Sequence, residues 1–191
     1  MNDSAPDALS KRKDYGSIAL EEGSLSSDPI EQLMTWVAEA DAAGIYEPNA
    51  MVLSTIDPGG APSSRTVLLR GIDEHGLYFY TDYGSRKGLA LLANPEVSVV
   101  FPWYAQHRQV LIYGHASPVD SEVSDAYFAT RPRGSQIGAW SSEQSRPIES
   151  RRIHCAPKSE WASRSDCHVV YQGSGPRIQR HLLQVRGRNG R

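Results

Sequence analysis

The first periodic pattern along the chain is helical and lies between Asp28 and Gly44. Four apolar residues fall on one face of this predicted helix by their i, i+3, i+4 and i+7 spacing: Ile30, Leu33, Met34 and Val37. Asp28 is a suitable N-cap, Pro29 suits the first helical position, and Gly44 favours the helix end. The pattern therefore predicts a surface helix that packs one face on the rest of the domain.

From Ala50 onward the pattern changes to short apolar or alternating runs separated by tight turns, which is typical of strands. The runs are M-V-L-S-T-I-D from Met51, R-T-V-L-L-R from Arg65, L-Y-F-Y-T-D from Leu77, V-S-V-V-F from Val97 and Q-V-L-I-Y-G-H from Gln109. Short helices are predicted from Ser85 to about Ala93 and from Ser121 to about Thr130. At least five short strands joined mainly by hairpin-length loops close most easily into a small antiparallel barrel. Strand and helix do not alternate, which argues against a doubly wound sheet.

The stretch from Arg65 to Lys87 carries the most chemistry in the chain. Its first strand has an arginine at each end, Arg65 and Arg70, and its second strand runs into a Gly-Ser turn followed by Arg86 and Lys87. Antiparallel neighbours lie side by side, so we expect the four cations to converge at one end of the sheet. Such a cluster can hold a phosphate group, since guanidinium groups fork onto its oxygens and the turn offers backbone N–H groups. The alternative interpretation is a charged, solvated rim of the sheet.

Composition fits a single water-soluble domain, with 191 residues of which 39% are hydrophobic and 22% charged. No apolar run approaches the roughly 20 residues of a membrane helix, and the N-terminus lacks the basic start and apolar stretch of a signal peptide. The two cysteines, Cys155 and Cys167, are fewer than secreted domains of this size usually carry. We therefore expect a cytoplasmic protein that does not act on a membrane.

Charge divides the chain more sharply than its net value of −2 suggests. Residues 1–150 carry 11 Lys/Arg against 20 Asp/Glu, a balance of −9, whereas residues 151–191 carry 9 against 2, a balance of +7. Residues 1–27 are polar and rich in Ser and Asp, which is typical of a flexible arm. We therefore predict an arm (1–27), a barrel domain (28–150) and a basic tail without clear periodicity (151–191).

Seven sequence blocks stand in order over about two thirds of the chain: E-P-N-A-M-V-L-S-T from Glu47, R-T-V-L-L-R from Arg65, F-Y-T-D-Y-G-S-R-K from Phe79, N-P-E-V-S-V-V-F-P-W from Asn94, R-Q-V from Arg108, Y-F-A-T-R-P-R-G-S-Q-I-G-A-W from Tyr127 and Q-S from Gln144. Together they resemble the pyridoxamine 5′-phosphate oxidase family, whose members are FMN-dependent split-barrel enzymes that make pyridoxal 5′-phosphate. The resemblance implies a mainly β fold with flanking helices and a homodimer with FMN in clefts at the subunit interface. It also implies hydride transfer from C4′ of the substrate to flavin N5, reoxidation by O2, and a substrate-covering arm matched by R-K-D-Y from Arg12.

Residue by residue, the resemblance assigns two sets of ligand-binding positions. The FMN set is Arg65, Thr66, Val67, Leu68, Leu69, Arg70, Tyr80, Thr81, Arg86, Lys87, Gln109, Gln144 and Ser145. The set for pyridoxamine or pyridoxine 5′-phosphate is Arg70, Tyr127, Arg131 and Ser135. Two phosphorylated ligands require two cationic clusters, and the chain has Arg65, Arg86 and Lys87 well separated from Arg131 and Ser135. No protein nucleophile, metal ion or nucleic acid is implied.

Several of these residues have a plainer interpretation. Gln109 is otherwise a polar cross-strand partner and Tyr127 a packed helix residue, while Arg131 and Arg133 form a cation pair favoured at a helix end. Trp103 is interpreted as a packing aromatic, and so is the tryptophan at position 140.

The chain departs from the family pattern at Arg70, where the family often has lysine, and after Arg151. The family's C-terminal motifs W-G-G-Y-R and F-W-x-G-x-x-x-R-L-H-x-R are absent. A faint match of Y-Q-G-S-G-P-R-I-Q-R from Tyr171 would place Arg177 in a substrate role and Gln179 where the family has histidine. The loss of periodicity together with the change to +7 favours a change of reading frame near Arg151, which the coding DNA would decide.

Three other hypotheses stay open. The chain is a flavin-binding module without turnover, or its basic tail binds nucleic acid, although that tail lacks interleaved aromatic residues. The pairs His154-Cys155 and Cys167-His168 form a zinc site, although their spacing matches no common ligand pattern.

Overall fold

The computed structural model describes residues 20–140, 144–147 and 180–187. The R-K-D-Y arm from Arg12, the cysteine–histidine pairs, and the positions matched as Arg177 and Gln179 lie outside these ranges. The helices are α1 (Pro29–Ala42), α2 (Arg86–Ala93), α3 (Ser121–Thr130) and α4 (Arg133–Trp140), and 3-10 turns occupy Glu22–Ser24 and Tyr104–Gln106. The strands are β1 (Ala50–Ile56), β2 (Pro62–Asp73), β3 (Gly76–Asp82), β4 (Glu96–Trp103), β5 (Arg108–Pro118) and β6 (Arg180–Gly187).

The first helix begins and ends where its caps predict. The Asp28 carboxylate accepts a hydrogen bond from the backbone N–H of Ile30 at 2.8 Å, and Gly44 adopts a left-handed φ of 72° just beyond the last turn. Leu33 is buried in the core. Met34 does not join this face, however, because it is 51% exposed, and Ala40 takes the next buried position instead. The apolar stripe is therefore narrower than its spacing predicts.

The six strands form a closed antiparallel barrel in the order β1-β2-β3-β6-β5-β4. The antiparallel barrel predicted from the sequence is confirmed, and five of its strands match the predicted runs. The sixth strand, Arg180–Gly187, lies in the region assigned to the basic tail, and it pairs with β3 on one side and β5 on the other. Closure of the barrel thus uses eight residues in which the sequence showed no convincing period.

The barrel interior is filled by alternate side chains of the strands. The largest fully buried side chains include Met51, Leu53, Phe79, Val99 and Phe101, which alternate with more exposed neighbours as the pleat requires. Trp103 continues this row, since its indole N–H donates to the carbonyl of Pro48 at 2.8 Å and its ring lies 5.3 Å from that of Phe101. The interpretation of Trp103 as a packing residue is therefore confirmed, and the side chain at position 140 lies outside the described part.

A tight turn joins β3 to α2. The buried hydroxyl of Ser85 donates to the carbonyl of Asp82 and accepts from the backbone N–H of Gly88 at 3.2 Å, so Ser85 is the N-cap of α2. A Cβ atom at Gly88 would lie 2.5 Å from the carbonyl oxygen of Tyr83 and 2.6 Å from that of Asp82. Only glycine therefore lets the first turn of α2 approach the preceding strand this closely.

We predict that Gly88→Ala destabilises the protein by about 1–3 kcal/mol, because the added methyl group meets backbone oxygens that cannot move aside. The matched control is Gly138→Ala in α4, where an added Cβ has no neighbour within 4 Å and alanine gains helix propensity of up to about 1 kcal/mol. Urea unfolding of both variants measures the difference. Equal free energies of unfolding for the two variants would contradict the predicted close approach.

Tyr83 in the same turn is expected to make part of the stability depend on alkaline pH. Burial raises the pKa of Tyr83 to about 12, against an ordinary value of about 10 in the unfolded chain. Its contribution is therefore complete below pH 10 and is lost as the pH rises towards 12. Absorbance titration of phenolate should show a late step that Tyr83→Phe removes, whereas the 80% exposed Tyr104 changed to Phe should leave that step in place.

Candidate functional site

Strand β3 presents candidate residues on both faces of the barrel wall. Phe79 and Thr81 are buried towards the interior, and Tyr80 between them points to the outer face, where it meets aromatic residues of α3. Two groups of the candidate residues are therefore separated by the thickness of one strand.

Arg65 lies at the barrel end to which β3 runs, and its guanidinium is held by the neighbouring strand. Its Nη1 donates to the carbonyl of Leu53 at 3.1 Å and to the hydroxyl of Thr55 at 2.9 Å, and its Nη2 donates to the Ser63 hydroxyl at 2.8 Å. Register explains these contacts, since Leu53 pairs with Arg65 and Thr55 with Ser63. The side chain is therefore preorganised at this end of the barrel.

A second guanidinium, that of Arg86, stands next to Arg65. Burial, and secondly the positive charge of Arg86, lower the pKa of Arg65 below its ordinary value. Arg86 is 67% exposed and lies 3.8 Å from the carboxylate of Asp57, whose other oxygen accepts hydrogen bonds from the N–H groups of Gly59 and Ala61 in the β1–β2 turn. Two guanidinium groups whose charges act on each other favour an anion at this end of the barrel.

The next residue after Arg86, Lys87, has a buried side chain. Its ammonium donates to the Thr81 hydroxyl at 3.1 Å. The amide oxygen of Gln144 accepts from the same hydroxyl at 3.3 Å and from the backbone N–H of Asp82 at 3.4 Å. Next to Gln144, Ser145 is exposed and left-handed, with a φ of 70°. The structure thus brings together Thr81, Lys87 and Gln144, which are far apart in sequence.

The expected convergence of four cations does not include Arg70. Arg70 is exposed at a bulge between β2 and β3, whereas its neighbour Leu69 is buried, so the Arg70 side chain does not follow Arg65 into the end of the barrel. Thr66 and Gln109 are also exposed. Of the other residues in the R-T-V-L-L-R run, Val67 packs against the core and Leu68 is half-buried.

A second cluster lies on the outer face. The guanidinium carbon of Arg131 is 5.1 Å from the ring centroid of Tyr80 and 5.8 Å from that of Phe128, and the ring of Tyr127 lies 5.0 Å from that of Tyr80. The Nη1 atom of Arg131 is buried and has no hydrogen-bond partner among the described residues. A buried donor without a partner is costly, so an acceptor that bonds to Nη1 would be favourable here.

Gln136 fixes the backbone at this cluster, a role that the sequence did not reveal. Its side-chain N–H groups donate to the carbonyls of Phe128, Ala129 and Arg131 at 3.3, 3.3 and 2.9 Å, which ties α4 to the end of α3. Ser135 lies in the first turn of α4 with its backbone N–H on the carbonyl of Pro132, and its side chain is exposed. The one sequence signal for this role was the position of Gln136 directly after the candidate residue Ser135.

Two general properties also bear on the site. The described ranges contain no group of three or more His, Cys, Asp or Glu side chains that could hold a metal ion. Within the same ranges, no helix combines the length and the apolar character needed to span a bilayer.

Comparisons of the sequence with known proteins all identify the same family. The family model described as Pyridoxamine 5'-phosphate oxidase matches residues 37–162. The pyridoxine/pyridoxamine 5'-phosphate oxidases of Thermobifida fusca and Rubrobacter xylanophilus are 53% and 54% identical over 146 and 145 residues, in each case 76% of this chain. These matches cover 66% and 67% of the relatives, so the chain spans about two thirds of their length.

Solved structures give the same fold. PhzG from Burkholderia lata, determined in complex with tetrahydrophenazine-1-carboxylic acid, superposes with a TM-score of 0.72 at 26% identity, covering 89% of this chain and 82% of that one. A pyridoxamine 5'-phosphate oxidase-related, FMN binding protein from Nostoc punctiforme superposes with a TM-score of 0.63 at 16% identity, covering 85% and 83%. The split barrel agrees with a family model that matches most of the chain and with relatives above 50% identity. The chain therefore belongs to the pyridoxamine 5'-phosphate oxidase family.

Proposed function

We propose that the protein binds FMN and oxidises pyridoxamine 5′-phosphate or pyridoxine 5′-phosphate to pyridoxal 5′-phosphate with O2 as the electron acceptor. The observation that carries the proposal is the buried Nη1 of Arg131, which has no hydrogen-bond partner among the described residues, in a guanidinium that lies beside two aromatic rings. An incoming phosphate oxygen satisfies this donor with a charge-assisted hydrogen bond. Tyr127 and Ser135 contribute to the same ligand as the family match implies.

The residues at the barrel end fit the phosphate of FMN. Arg65 and Arg86 supply two neighbouring positive charges, and Lys87 supplies a third from the interior. Gln144 carries an amide to the same end, where it suits the donors and acceptors of a flavin rim. Because this cluster and Arg131 lie on different faces of β3, the arrangement supports two anionic ligands with separate phosphate sites.

The chemistry follows from this division. FMN supplies the acceptor for two electrons, and O2 takes them up to give hydrogen peroxide. With an amine substrate, water and O2 are consumed and the aldehyde, ammonia and peroxide are formed, so no protein nucleophile is needed. The chain's own residues would therefore bind and orient the two ligands: the barrel end would hold one phosphate, and Arg131 would hold the other.

A second candidate function is a flavin-binding protein without turnover. It is favoured by the extent of the match, since about one third of each curated relative has no counterpart in the aligned region and the family's C-terminal motifs are absent. Most of the matched cofactor residues precede Arg151, so flavin binding should persist where oxidation is lost.

We also propose that the protein acts as a homodimer that pairs through the outer face of β1, β4 and β5. Val52, Val100 and Leu111 share one cross-strand row of this face, and Thr66 of the FMN set pairs with Val52 in the same row. Leu111 is 46% exposed and Tyr113 is 61% exposed. Exposed apolar side chains in a continuous row favour burial by a second copy.

The reaction is tested on the full chain reconstituted with FMN. The protein should keep flavin absorbance after desalting and convert pyridoxamine 5′-phosphate to aldehyde with one peroxide per turnover. Arg131→Met should weaken binding of pyridoxamine 5′-phosphate about tenfold to hundredfold by loss of a charged hydrogen bond, and it should leave FMN bound.

Arg133→Met is the control, because Arg133 is exposed and lies two residues from Arg131, so the substitution removes the same charge. Colourless protein would contradict the cofactor assignment. Yellow protein that forms no aldehyde would favour the second candidate, and equal affinities for the two arginine variants would contradict the role of Arg131.

The dimer is tested by sedimentation velocity of the reconstituted protein. The native chain should sediment at twice the monomer mass, and Tyr113→Glu should shift it towards monomer because a charge then replaces an aromatic ring in the interface. Tyr104→Glu, at a tyrosine that is 80% exposed and lies outside that sheet face, should remain dimeric. A monomeric native protein would refute the proposed assembly.

A further inference from the structure

We propose that the ring of Tyr80 is a positioning element for Arg131, so that Tyr80 controls affinity for the phosphate of the substrate and not that of the cofactor. This inference rests on the function proposed above. The family match assigns Tyr80 to FMN, but the structure places its ring with the second cluster, on the face of β3 opposite the buried Thr81. One strand then carries a cofactor residue and a substrate-positioning residue at adjacent positions.

The geometry of Arg131 supports this role. Its guanidinium carbon lies within 6 Å of two ring centroids, 5.1 Å from Tyr80 and 5.8 Å from Phe128, which is the range of cation–π attraction. The two rings are nearly parallel, with an interplanar angle of 22° and centroids 6.2 Å apart. The charge is thus held by π faces, which use none of the guanidinium N–H donors.

Because Nη1 of Arg131 has no hydrogen-bond partner among the described residues, the two rings are the contacts that hold the guanidinium in place. The Nη1 atom itself is buried. An arginine without such contacts loses considerable rotamer freedom when it binds a ligand. Holding the guanidinium in place beforehand lowers that cost and leaves its donors available to an anion.

Tyr80 itself is well fixed. Its backbone pairs with Leu182 of β6, within a strand that is bonded on both edges, and its ring contacts that of Tyr127 at 5.0 Å with an interplanar angle of 44°. Arg131, by contrast, has an extended backbone and lies between α3 and α4, directly before Pro132. The barrel therefore supplies a rigid surface for an arginine that belongs to the connection between two helices.

The experiment compares pyridoxamine 5′-phosphate with pyridoxamine, which lacks the phosphate, by calorimetric titration of the full chain with and without FMN. The ratio of the two affinities isolates the contribution of the phosphate. Tyr80→Leu should lower this ratio roughly threefold to thirtyfold, which is the range of one desolvated cation–π contact. Tyr80→Phe keeps the ring and should retain most of the ratio, and the affinity for FMN should stay unchanged in both variants.

Tyr78→Leu is the matched control, because Tyr78 lies two residues earlier on the same strand and its hydroxyl bonds to Asp73, away from Arg131. It should weaken the sheet comparably without lowering the ratio. If Tyr80→Leu does not fold, Phe128→Leu removes the second ring from a helix and should lower the ratio in the same direction.

The outcomes separate the two proposals. A native protein that prefers the phosphorylated ligand, together with an unchanged ratio in Tyr80→Leu, would overturn the role of Tyr80 alone. An equal loss in Tyr80→Phe and Tyr80→Leu, or a loss of FMN affinity in both, would overturn it as well. A native protein that does not distinguish the two ligands would overturn the substrate assignment and this inference with it.

Discussion

The alternation of side chains along β3 is the constraint on which the candidate site depends. Because successive residues of a strand face opposite sides, Thr81 turns its hydroxyl towards Lys87 while Tyr80 turns its ring towards Arg131. The alternation is firm because β3 is bonded along both edges, to β2 and to β6, and therefore cannot slip in register without exposing Phe79. The two candidate clusters are thus kept on opposite faces of one strand.

Local patterns predicted most of the fold. The caps of α1, the Ser85 start of α2 and the five strand runs all follow from turn chemistry and periodicity within a few residues. Strand β6 did not, because its run R-H-L-L-Q-V-R-G has little pattern of its own and its pairing depends on the open edges of β3 and β5. Helix α4 was also missed, since its glycines and serine mask a short helix that Gln136 anchors by side-chain bonds.

The candidate site was predictable where it is local and less so where it is not. Arg65 and the Arg86–Lys87 pair follow from the hairpin connection and the turn after it, and the charge effect of Arg86 on Arg65 agrees with the expected proximity of these two residues. Arg70 could not be placed from the sequence, since its direction depends on a bulge that no residue in the run announces. The approach of Arg131 to Tyr80 joins positions 51 apart in the chain, and only the docking of α3 on the barrel reveals it.

The carboxylate of Asp57 both stabilises the β1–β2 turn and lies next to the guanidinium of Arg86. One oxygen closes the β1–β2 turn on Gly59 and Ala61, and the other faces Arg86 at 3.8 Å. An anion that approaches Arg86 therefore meets a guanidinium whose charge is partly offset by a carboxylate in the hairpin. Exchanging that hairpin for one without the carboxylate would consequently raise the positive charge at this end of the barrel.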